Sequence, residues 1–246
     1  MKRTHAQKHT GRREARTALA FLLPSLIGLS GMFLIPTADV VRRSFFSAMG
    51  NSFVGVDNYT TVWNNASFRL ALRNTGRFLL VCIPLLLTLS LLIALLLQQN
   101  RRVQQVFRTT YLAPLVVPVT SVVLIIQTVF QKNGLLSALC ALFGKAPVDW
   151  LNSGYAFYVL VACYLWKNLG YNVVLWMAGL SAVPESLYEA ARVDGANGRQ
   201  CFFSITLPQL TGTLFMTAVL ALINSFKVFR EAYLVAGQYP HSSIYM

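Results

Sequence analysis

Charged residues are scarce in this sequence, and acidic residues are the scarcest. Only 12% of the 246 residues are charged, and only 8 are Asp or Glu, whereas soluble domains carry about 25% charged residues. Hydrophobic residues make up 55% of the chain, and the mean hydropathy is +0.54. This composition excludes a soluble globular domain and indicates an integral membrane protein.

Motifs for metal, redox and nucleotide chemistry are also missing. The four cysteines stand singly, without the CxxC or Cys/His spacing of a metal site: Cys82, Cys140, Cys163 and Cys201. The three histidines do not cluster, and neither GxxxxGK[ST] nor GxGxxG occurs. We therefore expect no catalytic residues, no metal and no cofactor on this chain. If ATP drives its function, partner subunits must bind the ATP.

The net charge of +13 reflects 21 Lys and Arg residues against 8 Asp and Glu residues. Such an excess is also found in nucleic-acid-binding proteins, but no aromatic–basic recognition module accompanies it here. Most of the basic residues flank apolar segments, which is typical of membrane topogenesis and of attraction to anionic lipid headgroups. We expect membrane lipid, and no nucleic acid, as a partner.

Apolar runs predict an all-α, polytopic membrane helix bundle. The five predicted spans are long enough to cross the hydrocarbon core, which takes roughly 17–25 residues: 17–38, 78–97, 109–130, 154–180 and 210–226. A basic tail, residues 1–16, precedes the first span, so we expect the N-terminus in the cytoplasm. The first run is too long for the apolar region of a signal peptide.

The fourth span contains Lys167 and Asn168. A lysine at the centre of a span costs about 2.5–3.5 kcal/mol on insertion scales and usually faces a cavity, an opposite charge or an interface. We therefore expect both side chains in the interior of the bundle.

The polar stretch between the fourth and fifth spans, residues 181–209, is patterned. Pro184 suits a first helical position, and Gly195 suits the end of that helix. Asn197 suits the cap of a second short helix. An apolar stripe lies at spacing i, i+3 and i+4, formed by Leu187, Ala190 and Ala191. The periodicity alone fits an ordinary amphipathic loop as well as a surface gripped by a partner.

This stretch resembles the EAA loop of bacterial ABC-importer permeases. Glu189-Ala190-Ala191 is followed by Asp194-Gly195 and then by Ile205 and Leu207-Pro208, at the family's spacing. Residues around Trp166–Tyr171 and Ser225-Phe226 resemble the carbohydrate-uptake, MalF-like branch, which includes maltose, lactose and glycerol-3-phosphate permeases. The likeness covers the whole chain, and the EAA block is its specific part.

The resemblance implies a type I ABC-importer permease fold in the bacterial inner membrane. It also implies a second permease subunit, a pair of ATPase subunits and an extracytoplasmic solute-binding protein. The ATPase-coupling residues would be Glu189, Ala190, Ala191, Asp194 and Gly195. The alanines allow close approach and Glu189 offers a carboxylate, although a solvated helix face is the alternative for Glu189. Asp194 suits a local cap as well as a partner contact.

The resemblance also suggests a route for a sugar near the outer half of the fifth span. Asn224, Lys227 and Phe229 offer an amide, an amine and an aromatic face, which suit a hydroxyl-rich ligand. Helix packing or snorkelling to the interface is the alternative for these residues.

The family usually has six spans, with the sixth beyond the position of Met246, so five predicted spans suggest that the last helix is missing. Two other functions therefore remain open beside an importer permease: a secondary transporter working alone, and a truncated membrane scaffold that does not transport.

Overall fold

A computed structural model describes residues 5–48, 52–98, 104, 112, 114, 116–236 and 240–246; for residues 5–16 and 236 it describes the backbone only. These residues form helices and no β-strand, apart from an isolated bridge between Phe46 and Phe53. The chain divides into two compact units, residues 1–68 and residues 69–246.

The first unit is dominated by one long helical segment. Helix α1 (His5–Leu29) continues through a π-helical turn (Ser30–Leu34) into α2 (Ile35–Arg43). The described part of the basic tail is therefore helical and continuous with the first predicted span. None of residues 17–43 is buried, and the exposed side chains include Phe21 (82%) and Met32 (79%). Such a surface suits lipid or a partner helix.

A short helix, α3 (Asp57–Asn64), closes the first unit. The side-chain amide of Asn58 donates hydrogen bonds to the carbonyl oxygens of Ser44 and Phe46, at 2.8 and 2.9 Å. The residues that follow α2 are thereby tied to α3.

The second unit begins within a long helix, α4 (Ala66–Gln98). The remaining helices are α5 (Val119–Phe130), α6 (Leu135–Leu142), α7 (Ala156–Ser181), α8 (Glu185–Val193), α9 (Gly198–Cys201), α10 (Leu207–Gln209) and α11 (Thr211–Ala236), with a π-helical turn at Phe202–Thr206.

Four helical segments in the described part of the chain are long and apolar enough to cross a membrane: Thr17–Arg43, Ala66–Gln98, Val119–Leu142 and Thr211–Val235. These segments overlap four of the five predicted spans. For the third predicted span, residues 109–111, 113 and 115 lie outside the described residues.

The other predicted span corresponds to α7, which is less apolar but long enough. Its 26 residues extend about 39 Å at 1.5 Å per residue. Half of α7 is buried, including Asn168 and Asn172. Neighbouring helices cover this half of α7, so it tolerates polar residues that a lipid-facing surface would not.

Two helices extend well beyond the predicted spans. Helix α4 begins at Ala66 because Asn65 caps it: the Asn65 Oδ1 atom accepts a hydrogen bond from the backbone N–H of Ser67, at 2.8 Å. Helix α11 continues to Ala236, through Lys227 and Glu231. The apolar segment that hydropathy identifies ends at these charged residues, whereas the backbone remains helical beyond them.

The core of the second unit is built around α7. Phe78 on α4 contacts the ring of Tyr164 edge to face, and the Tyr164 hydroxyl donates a hydrogen bond to the carbonyl oxygen of Ala221 on α11, at 2.8 Å. Further along, the indole N–H of Trp176 donates to Ser90 Oγ at 3.0 Å. Because these polar groups are satisfied inside the bundle, they link α7 to both neighbours.

Helices α7 and α11 are in close contact at Gly179. A Cβ atom added there would collide with the Thr213 side chain. The absence of a side chain at Gly179 therefore permits this crossing.

The end of the chain packs on α4. The amide of Asn74, which is buried, donates hydrogen bonds of 2.7 Å to the carbonyl oxygens of Ser242 and Tyr245. One side chain thus fixes the last described residues to the bundle.

Candidate functional site

The predicted EAA loop forms a helix–turn–helix. Pro184 lies at the N-cap of α8, with extended backbone angles (φ −62°, ψ 131°), and Asp194 is the C-cap. Gly195 follows with a positive φ of 80°. The Gly195 N–H bonds to the Arg192 carbonyl at 3.1 Å, and the Ala196 N–H bonds to the Ala191 carbonyl at 2.8 Å. These two bonds form a Schellman motif, which requires the left-handed conformation that glycine adopts without strain.

The second helix begins with a reciprocal cap. Asn197 Oδ1 accepts a hydrogen bond from the Gln200 backbone N–H at 2.9 Å, and the Gln200 side chain accepts one from the Asn197 backbone N–H at 2.8 Å. This capping box fixes the turn that reverses the chain after Gly195.

The apolar and small residues of α8 have little cover within the chain. Glu189 and Ala190 are exposed, and Ala191 is half-buried. Leu187 is 37% exposed, and Val193, at the end of the helix, is 88% exposed. The Asp194 side chain is exposed as well. Because α8 is amphipathic and its small residues remain open, the helix offers a surface on which another chain can pack closely.

A hydrogen bond holds α8 against the entry to α11. The Tyr188 hydroxyl lies 2.8 Å from Thr206 Oγ1, and Thr206 is buried in the π-helical turn just before Leu207-Pro208. A polar cavity of about 930 Å³ adjoins this contact, with Gln98, Glu185 and Arg192 among its lining residues. The loop is therefore attached at its Tyr188 side and open at its Ala190 side.

A second polar site lies between α7 and α11. Lys167 Nζ is 2.6 Å from Glu231 Oε1, and their side chains are 20% and 8% exposed. This ion pair borders a cavity of about 190 Å³, which is also lined by Cys163, Asn168, Asn224 and Lys227, among others. As predicted, Lys167 and Asn168 lie in the bundle, and Lys167 has a partner of opposite charge.

The three residues predicted for a sugar route lie in two places. Asn224 and Lys227 line the cavity, and Lys227 Nζ donates a hydrogen bond to Asn224 Oδ1 at 3.1 Å. Phe229 does not line this cavity; it is 53% exposed and stacks on Tyr233, with ring centroids 6.0 Å apart. A role in a solute route stays a prediction for all three.

Buried amides continue the polar lining along α7. Asn168 donates to the Tyr164 carbonyl and Asn172 donates to the Asn168 carbonyl, both at 2.9 Å. Two buried oxygen atoms have no hydrogen-bond partner among the described residues: Asn172 Oδ1 and Glu231 Oε2. A buried acceptor without a donor is costly, and of these two residues Glu231 borders the cavity.

Two features of these sites were not predicted from the sequence. Glu231 lies beyond the fifth predicted span and 64 residues from Lys167, so no local pattern joins the two. Tyr188 and Thr206 were not paired either, although both lie in the patterned loop. Among the described residues, no group of three or more His, Cys, Asp or Glu residues is placed to hold a metal.

Comparison with known proteins adds independent findings. A family model described as "Binding-protein-dependent transport system inner membrane component" matches residues 86–243. The sulfoquinovosyl glycerol transport system permease protein of Agrobacterium fabrum is 31% identical over 233 residues, which cover 92% of this chain and 76% of that protein. The trehalose/maltose transport system permease protein of Thermococcus litoralis is 30% identical over 234 residues, covering 93% of this chain and 79% of that protein.

The fold also matches a solved structure. A bacterial ABC transporter involved in the import of the acidic polysaccharide alginate contains a chain that superposes with a TM-score of 0.80 at 20% identity. The match covers 97% of this chain and 83% of that chain. The two chains therefore share the same fold over most of their lengths.

Proposed function

The chain belongs to the family of inner membrane components of binding-protein-dependent transport systems, and we propose that it imports a sugar or sugar derivative and is driven through its exposed helix α8. It is a permease subunit of an ABC importer and has the type I permease fold. The single observation that carries the proposed coupling is the match of Glu189-Ala190-Ala191 and Gly195 to an exposed, Schellman-terminated helix.

In this proposal, ATP is bound and hydrolysed on separate ATPase subunits. The chain has no phosphate-binding sequence motif, and a non-catalytic role suits a subunit whose sites are a docking helix and a polar cavity. The remaining partners are a second permease subunit, which completes the pathway, and an extracytoplasmic binding protein. We propose a location in the inner membrane with the N-terminus in the cytoplasm, on the side of α8.

The mechanics follow from the two faces of α8. The Ala190 side is open and small, so a cleft of an ATPase subunit can approach the helix backbone, while Glu189 supplies a carboxylate for a basic residue. The opposite side is attached through Tyr188 and Thr206 to the start of α11. A displacement of α8 by the ATPase would therefore reach α11, which lines the cavity, and alternate its access between the two sides of the membrane.

A sugar as solute is supported by the relatives and by the cavity. The names of the similar permeases include sulfoquinovosyl glycerol, trehalose, maltose and lactose. Amide, ammonium and carboxylate groups converge on a small cavity at Asn168, Asn224, Lys227 and Glu231. Such groups recognise hydroxyl groups through hydrogen bonds.

The coupling proposal is tested with Glu189→Gln and Glu189→Lys in the complete importer. Both variants should reach the membrane at the wild-type level, because Glu189 is exposed. Neutralisation should weaken retention of the ATPase subunits on purification, and charge reversal should abolish retention and sugar uptake. Lys145→Glu, a reversal at an exposed residue between the third and fourth predicted spans, is the control and should retain the ATPase.

Wild-type ATPase retention and uptake in Glu189→Lys would remove α8 from the coupling. Uptake by the purified chain without any ATPase would instead establish a secondary transporter.

A further inference from the structure

The ion pair between Lys167 and Glu231 joins two membrane helices and borders the small polar cavity. We propose that Glu231 is a specificity-determining residue, whose carboxylate accepts a hydrogen bond from one hydroxyl group of the transported solute, and that Lys167 is its positioning residue. This inference rests on the proposed function of sugar import and assigns to Glu231 a contact that the import activity alone does not require.

Burying the ion pair between Lys167 and Glu231 costs free energy. Moving a carboxylate and an ammonium group out of water costs desolvation free energy. The attraction between the two groups offsets this cost only when their geometry is good and their remaining atoms are hydrogen-bonded. The 2.6 Å contact satisfies Glu231 Oε1. Oε2 is buried and has no partner among the described residues. A purely structural pair would leave this oxygen unsatisfied for no benefit.

A solute in the cavity can supply the missing donor. Glu231 borders the cavity and its side chain is only 8% exposed, so a solute held inside the cavity is adjacent to the carboxylate. The terminal torsion of a glutamate is broad and soft, so the carboxylate can turn one oxygen toward a bound solute. Lys167 holds the other oxygen in place through the 2.6 Å contact.

The size of the cavity and the charge of Glu231 indicate the chemical class of the solute. A cavity of about 190 Å³ is smaller than the roughly 300–1,000 Å³ of sites for drug-sized ligands, so it holds one ring-sized part of a solute. A hydroxyl group facing Glu231 can donate to it, whereas a carboxylate or sulfonate at the same position would be repelled. The cavity therefore fits a sugar ring that presents an uncharged hydroxyl to Glu231.

The experiment uses the complete importer in proteoliposomes. Uptake of maltose, lactose, trehalose and arabinotriose is measured first, and then uptake of the singly deoxygenated analogues of whichever sugar the wild-type complex transports. Glu231→Gln keeps the volume and one acceptor oxygen but loses the charge. We expect KM for the parent sugar to rise about tenfold or more, as for loss of a hydrogen bond to a charged group.

One deoxy analogue carries the decisive result. In the wild type, removal of the hydroxyl that meets Glu231 should raise KM by about tenfold or more. In Glu231→Gln, removal of the same hydroxyl should cost much less, because its charged partner has already gone. A purely structural role for Glu231 would not link one residue to one hydroxyl.

Two further variants separate contact from folding. The double variant Lys167→Glu with Glu231→Lys keeps an ion pair but exchanges the positions of the two charges. We expect the wild-type amount of permease in the membrane and the wild-type thermal stability, without the wild-type preference among the sugar analogues. Arg230→Gln removes a charge from an exposed neighbour that does not line the cavity, and it should leave every KM unchanged.

The outcomes divide as follows. If the wild-type complex transports none of the sugars, the proposed function fails and this inference fails with it. If the wild type transports a sugar and Glu231→Gln responds to every analogue as Arg230→Gln does, only the inference is overturned. It is also overturned if the reversed pair restores wild-type specificity, or if neither Glu231→Gln nor the reversed pair inserts, since Glu231 would then be structural.

Discussion

Replacement of Gly195 by alanine isolates the contribution of the turn after α8. Gly195 has a φ of 80°. Apart from its two neighbours in the chain, a Cβ atom added there would meet no atom of the described residues within 4 Å. The substitution therefore introduces backbone strain without a collision. A left-handed residue other than glycine costs about 1–2 kcal/mol, which corresponds to a factor of about 5–30 in an equilibrium constant.

This strain acts on the population of the docking-competent loop. Relief of the strain breaks the two Schellman bonds at Arg192 and Ala191 and changes the direction in which the chain leaves α8. Because apparent affinity falls with the competent fraction, we expect the ATPase subunits to bind Gly195→Ala about 5–30-fold more weakly. Titration of the ATPase against detergent-solubilised permease, by fluorescence anisotropy, measures this change directly.

Two comparison variants make the test specific. Gly195→Asn should be closer to the wild type, because asparagine tolerates the left-handed conformation better than alanine. Gly198→Ala adds the same methyl group at the start of α9, where it too meets no atom within 4 Å, and it should not weaken binding. Equal affinities for Gly195→Ala and the wild type would refute the reasoning, as would equal losses in the two alanine variants.

Three further substitutions test other contacts. Gly179→Ala drives a methyl group into the Thr213 side chain, and overpacking of this kind costs about 1–3 kcal/mol, so the thermal midpoint should fall; Gly212→Ala, which meets open space, should not lower it. Tyr188→Phe removes the 2.8 Å bond to Thr206, worth about 1 kcal/mol, so protease should cleave residues 181–209 faster, and an unchanged rate would argue against the attachment. Asn74→Ala removes two 2.7 Å bonds to the last residues, so amide hydrogens of residues 240–246 should exchange faster, and unaltered exchange would contradict that clamp.

Local chemistry explains why the loop could be predicted from the sequence almost residue by residue. Pro184 at the helix start, Gly195 in a left-handed turn and Asn197 in a cap each act on backbone groups within a few positions. Their signals are therefore contained in a short window of sequence. The same reasoning applied to Asn65 would have found the true start of α4, since that cap is also local.

Contacts across the bundle were beyond local reasoning. Lys167 and Glu231 are 64 residues apart in the sequence. Asn74 bonds to Ser242 and Tyr245, which follow it by 168 and 171 positions. A charged residue within a predicted span indicates that a partner of opposite charge is needed, but it does not indicate which residue that partner is. The length of α11 was missed for the same reason: the predicted span ends at residue 226, yet the helix continues to Ala236, and Glu231 within this extension is paired with Lys167.

Photo-crosslinking from position 190 tests whether α8 docks into an ATPase subunit on the cytoplasmic side of the membrane. A benzoylphenylalanine replaces Ala190 in the assembled importer, and a matched probe replaces Leu142, which is 81% exposed and lies between the third and fourth predicted spans. We expect an ATPase adduct from position 190 and none from position 142. An adduct of position 190 with the extracytoplasmic binding protein, or an ATPase adduct from position 142 alone, would contradict it.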